Sequence, residues 1–107
     1  MPNYQNTKIY SVRCKTNPEY IYIGFTTLDL DYCWDNIKSL YNQKYNIKYF
    51  KIISNIDDWY IQLEKHYPCN TKREANEAKE KVVERFDKVL NYSFKNGIIN
   101  SYYEYNS

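Results

Sequence analysis

The strongest pattern along the chain is the alternation in residues 59–66 (WYIQLEKH). Trp59, Ile61 and Leu63 point one way, and Tyr60, Gln62 and Glu64 the other, which predicts a strand with one face on a core. Two shorter runs, 8–13 (KIYSVR) and 20–24 (YIYIG), are rich in β-branched and aromatic residues and predict two more strands. Between them lies a turn, residues 15–19 (KTNPE), which Asn17-Pro18 initiates because Pro18 has no N–H for a ladder. The two strands are close enough for a hairpin. Gly24 is expected to end the second strand, at a tight exit or a close backbone approach.

After a loop over residues 26–30, Asp31 is expected to cap a helix that starts at Tyr32. Cys33, Ile37 and Leu40 or Tyr41 then share one face. Onward through Asn55 the pattern fits either one bent helix or two short ones. Asp57-Asp58 form a turn before the third strand, and residues 67–70 (YPCN) end that strand. Thr71 and Glu74 make a capping box ahead of a helical stripe: Ala75, Ala78, Val82, Phe86, then Val89 or Leu90, and Ser93. This helix is expected to run to Asn96, with Gly97 as a left-handed stop. A hairpin turn at Asn96-Gly97 is less consistent, because the flanks do not alternate. The order strand, strand, helix, strand, long helix predicts an α+β fold, a small three-stranded antiparallel sheet flanked by helices. It divides the chain into a polar N-terminal tail (1–6), one domain (7–97) and a tyrosine-rich C-terminal tail (98–107) that either packs back or meets a partner.

Composition refines this picture in a few places. The 107 residues suit one domain, and an apolar share of 43% argues against disorder. The 14 tyrosines have two readings: codon bias in an AT-rich genome, or stacking and interface use. A net charge of +2 does not by itself announce a nucleic-acid binder. Cys14, Cys33 and Cys69 are odd in number and widely spaced, which fits free thiols in a reducing intracellular compartment. With no Cys-x-x-Cys pair, and His66 as the lone histidine, no zinc site is expected. No apolar run reaches the ~20 residues of a membrane span and no leader is read, so no membrane partner is expected.

Lys8-Ile9-Tyr10 in the first strand and Tyr22-Ile23-Gly24 in the second resemble the paired motif of the GIY-YIG nuclease family. Lys8 stands in place of the first glycine. Thr26-Thr27 after the second motif and Tyr67-Pro68-Cys69-Asn70 before a capped helix look like versions carried by large DNA viruses, so a virus-encoded origin is expected. The resemblance covers roughly residues 8–86. It implies metal-assisted phosphodiester hydrolysis, with both motif tyrosines beside the scissile phosphate. One tyrosine helps deprotonate the attacking water and the other binds or orients. An arginine on the first helix stabilises phosphate charge, and a glutamate on the late helix holds a divalent cation. The chemistry needs a fixed cation for the developing oxyanion and carboxylate oxygen for a hard metal such as Mg²⁺.

Tyr10, Tyr22 and Gly24 are retained. Counted along the motifs, the arginine falls on Cys33, a following histidine on Ile37, and the glutamate on Lys79. With Ala75 at zero and about 100° per residue, the late stripe centres near −20° and Lys79 lies about 60° from it, at the edge of the buried face. Glu77 and Glu80 turn toward solvent and do not replace the lost carboxylate. A cation at that place repels a divalent ion. Loss of one electrostatic stabiliser typically costs about 3 kcal/mol, roughly 100- to 1,000-fold in rate. A cleavage-impaired domain with no cofactor is therefore expected. Mg²⁺ enters only if the chain is an active endonuclease with a shifted metal ligand. Plainer roles stand beside these: strand aromatics for the tyrosines, a small core residue for Cys33, and a lysine that snorkels for Lys79.

Residues 36–56 contain no acidic residue. Lys38, Lys44, Lys48 and Lys51 interleave with Tyr41, Tyr45, Tyr49 and Phe50. Lysines neutralise phosphates and tyrosines stack on bases, which makes this stretch the candidate DNA surface, with Tyr45 and Tyr49 as stacking candidates. The plainer reading is a helix with a tyrosine core stripe and solvated lysines. A third functional class also stands: a structural or protein-interaction component, such as a virion-associated protein, that uses the tyrosine-rich surface or tail.

Overall fold

The computed structural model describes residues 3–44, 53, 55–86 and 89. Its regular elements are β1 (Lys8–Cys14), β2 (Ile21–Thr26), α1 (Leu30–Asn42), β3 (Trp59–His66) and α2 (Lys72–Val83). The sheet is antiparallel throughout, in the order β2-β1-β3. This is the expected α+β arrangement.

Asn17 starts the β1–β2 turn. Its carbonyl accepts the Tyr20 N–H at 3.0 Å and its side chain accepts the Glu19 N–H at 3.2 Å. Period-two alternation then sends side chains to two faces. Tyr10, Val12, Cys14, Tyr22 and Trp59 pack with Cys33 and Ile37 of α1 and with Ile53. Ile9, Ile21, Ile23 and Phe25 pack with Ala75, Ala78, Val82 and Val83 of α2, and with Cys69 and Val89. Helices thus cover both faces, which is why every residue of β2 is buried. β3 borders a single strand, and its burial is confined mainly to Trp59.

Several boundaries differ from expectation. Gly24 does not end β2; it lies inside the strand, paired with Tyr10. α1 starts at Leu30 with Asp29 as its N-cap residue, and Asp29 makes no side-chain capping bond. Asp31 sits instead in the first turn, where its charge favours the helix dipole. Leu63 shares its face with Trp59 but is 38% exposed, next to a bulge in the pairing of β3 with β1. α2 opens at Thr71 as expected, with the Thr71 side chain accepting the Glu74 N–H at 3.2 Å. Glu74 reaches back to the Asn70 N–H at 3.1 Å, one residue before the cap.

The second helix closes at Val83, not Asn96. Three-residue bonds from Arg85 to Val82 and from Phe86 to Val83 tighten its last turn, and the Arg13 guanidinium then lies 5.7 Å from the centre of the Phe86 ring. The expected stop at Gly97 and the C-terminal tail lie outside the described residues. Within the expected N-terminal tail, Tyr4–Asn6 form a 3₁₀ turn tied to the end of β3. Gln5 Nε2 donates to Cys69 O and to Asn70 Oδ1, both at 2.9 Å. Among the described residues, no helix is long and apolar enough to cross a membrane.

Candidate functional site

Strand register brings the motif residues together. Tyr10 lies opposite Gly24 and Val12 opposite Tyr22, so the two tyrosines share one face on neighbouring strands. Gly24 is glycine for a local reason. A Cβ there would meet Tyr10 Cζ and OH at 2.6 Å, so the Tyr10 ring lies directly on the glycine. Neither tyrosine reaches solvent: Tyr10 is 0% and Tyr22 1% exposed.

α1 closes over this pair. Cys33, on its first turn, and Ile37, one turn on, are both buried in the same cluster. Burial pushes the Cys33 thiol up to about 11, against smaller opposing effects from hydrogen bonds with the Thr26 and Tyr10 side chains and from the charge of Lys8. Cys33 is therefore a protonated packing residue at neutral pH and not a nucleophile. Thr26 Oγ1 accepts the Leu28 N–H at 3.1 Å, and Lys8 Nζ donates to Leu28 O at 3.1 Å, so the loop before α1 is fastened to both strands.

Lys79 belongs to the helix on the other layer of the fold. The apolar residues of α2 pack on the sheet face opposite to Tyr10 and Tyr22. Its side chain is 1% exposed, so it does not snorkel. Val83 joins the buried arc at about +80°, which puts Lys79 about 30° from the centre of that arc and not at its edge. Lys79 Nζ lies 3.5 Å from Glu80 Oε1, and Glu80 is itself half-exposed. Burial lowers the Lys79 pKa, and the nearby Glu80 charge and hydrogen bond partly counter this.

No family model, curated protein or solved structure matches this chain. Among the described residues no group of three or more His, Cys, Asp or Glu side chains converges as metal ligands would.

The candidate DNA surface is described only in part. Lys38 lies 3.6 Å from Asp35 and 5.9 Å from the Trp34 ring centre, so its charge is already engaged. Lys44 is exposed, at a left-handed position (φ 59) just past the end of α1. Lys48, Lys51, Tyr45 and Tyr49 lie outside the described residues. Sequence reasoning also missed a partly buried polar cluster on the α2 side of the sheet. The bulge opposite Ile9 and Tyr10 leaves Glu64 as the extra residue of β3. Glu64 Oε2 accepts from Ser11 Oγ at 2.6 Å, Arg13 Nη2 at 3.0 Å and Gln62 Nε2 at 3.2 Å. In the sequence Glu64 follows the polar side of the β3 alternation, so nothing there marks the bulge.

Proposed function

We propose that this chain is a GIY-YIG-like domain that has lost efficient cleavage and serves as a nucleic-acid-binding module. The observation that supports this reading is the closed tyrosine pair. Tyr10 and Tyr22 keep the motif order and register, yet both are buried beneath Cys33 and Ile37. A hydroxyl that assists phosphodiester hydrolysis must come within hydrogen-bond reach of the attacking water or the phosphate. Cys33 supplies no fixed charge for a developing oxyanion, and Lys79, the position that the resemblance gives to a metal-binding carboxylate, is a lysine on α2, across the sheet from both tyrosines.

Plasmid nicking with Mg²⁺ or Mn²⁺ tests the first half of the proposal. No cleavage above background is expected from the wild type or from Cys33→Arg alone, since that change leaves the metal carboxylate missing. Nicking that disappears with chelator and with Tyr22→Phe would overturn the proposal in favour of an active endonuclease. A duplex-binding titration against salt tests the second half. Binding should be weak, sequence-tolerant and steeply salt-dependent, and replacing Lys44 and Lys48 by Ala should flatten the slope by about two units if both touch phosphate. Absence of binding at low salt moves the assignment to a protein-interaction role.

A further inference from the structure

Four basic side chains among the described residues are not exposed: Lys8, Arg13, Lys38 and Lys79. Three of them face a carboxylate, with Arg13 at 3.0 Å from Glu64, Lys38 at 3.6 Å from Asp35 and Lys79 at 3.5 Å from Glu80. Lys8 forms no ion pair among the described residues, even though Asp29 follows its partner Leu28. Its ammonium donates instead to Leu28 O and Asn6 O, each at 3.1 Å. Two carbonyls hold the group in place but do not neutralise it. An ammonium has three N–H donors, so one remains for a ligand. The other basic side chains without a carboxylate partner here (Lys15, Lys44, Lys65, Lys72, Lys81 and Arg85) are all exposed and solvated.

The position of this cation in the sheet matters. In register, Lys8 lies between Thr26 of β2 and His66 of β3, and opposed residues project on one face. That is the face of Tyr10, at the rim of the buried tyrosine cluster. Thr26 contributes a hydroxyl beneath the rim, and exposed His66 contributes an imidazole beside it. A half-buried cation without a counter-charge favours an anion that brings one, and its prior fixation lowers the ordering cost of binding.

We propose that Lys8 is a phosphodiester anchor at this rim, supplying from β1 the positive charge that Cys33 does not supply from α1. The inference rests on the nucleic-acid reading above for its ligand class. His66 is the accessory contact, and Tyr10 stays beneath the site as a buried support.

The direct test is NMR of the lysine ammonium groups in the wild-type protein, titrated with dimethyl phosphate at constant ionic strength set by sodium chloride. The Lys8 Nζ signal should move saturably, and the exposed Lys65 signal should not. Lys8→Met should weaken binding of the probe about tenfold or more, the value of a lost charge-assisted hydrogen bond, while Lys8→Arg should largely retain it. His66→Gln should cause a smaller loss. A Lys8 signal that does not move, or equal binding by folded Lys8→Met, overturns the proposal. If Lys8→Met does not fold, the wild-type signal alone decides. DNA titration separates this proposal from the broader reading. Duplex binding with a salt slope unchanged in Lys8→Met keeps the module and removes the anchor. A saturable Lys8 shift without duplex binding keeps the anchor and removes the DNA role.

Discussion

At the scale of single residues, the contact between Tyr10 and Gly24 is the sharpest constraint. A methyl at Gly24 would meet the rigid end of a buried ring at 2.6 Å, so the ring or the strand must shift. Gly24→Ala should cost about 1–3 kcal/mol in urea unfolding, the usual range for overpacking. The cost should shrink in the Tyr10→Leu background by about 1 kcal/mol or more, because the obstacle is gone; additive effects would show that the strain lies elsewhere. Lys79 gives a pH prediction. Its folded-state pKa lies below the ordinary 10.5, so the unfolded chain holds the extra proton between the two values. Stability therefore rises with pH across that window, and the burden of the buried charge is complete below it. Lys79→Met should be at least as stable as the wild type at neutral pH, and this advantage should fade as pH approaches 10.5. Parallel stability curves for the two proteins would refute this. The helical stripe in the sequence put Lys79 at the edge of the buried face. Its depth was not legible there, because that depends on Val83 joining the buried arc.

At the scale of elements, the two helix starts offer a matched comparison. Thr71 caps α2 through a bond to the Glu74 N–H, whereas Asp29 at the start of α1 makes no side-chain capping bond. Thr71→Ala should lower stability by about 1 kcal/mol, and Asp29→Ala by no more than about 0.5 kcal/mol, in thermal or denaturant melts. Equal losses would mean that capping geometry does not separate the two ends. The elements were legible where a local rule acted alone. Alternation gave both ends of β3, and the capping box gave the start of α2. Expectation failed where a long-range contact decided the outcome. Gly24 carries the usual signal of a strand end, yet it continues β2 because the Tyr10 ring needs its surface. Tyr4–Asn6 lacks an apolar pattern, yet hydrogen bonds to Cys69 and Asn70 hold it in place. The late helix stops early although its stripe continues, since Phe86 and Val89 enter the core without helical geometry.

For the molecule as a whole, two helical layers close both faces of a three-stranded sheet, and the cysteines sample both sides. Cys14 and Cys33 lie in one cluster and Cys69 in the other, all three free and buried. A thiol-specific chromophoric reagent should react slowly in native buffer and reach three thiols per chain in denaturant. Rapid native labelling of one thiol would place an opening at its layer. The strand order has a further consequence, in the course of synthesis. β1 is the middle strand of the sheet but the first in the chain, and its partner β3 begins at Trp59. As the polypeptide leaves the ribosome, the hairpin of β1 and β2 can pair at once. The other edge of β1 then stays open until about forty more residues, from the end of β2 to the end of β3, have emerged, several seconds at ordinary rates of about 5–20 residues per second. During that interval the nascent chain offers an unpaired strand carrying Ile9, Tyr10 and Val12, the kind of edge on which chains aggregate and chaperones act.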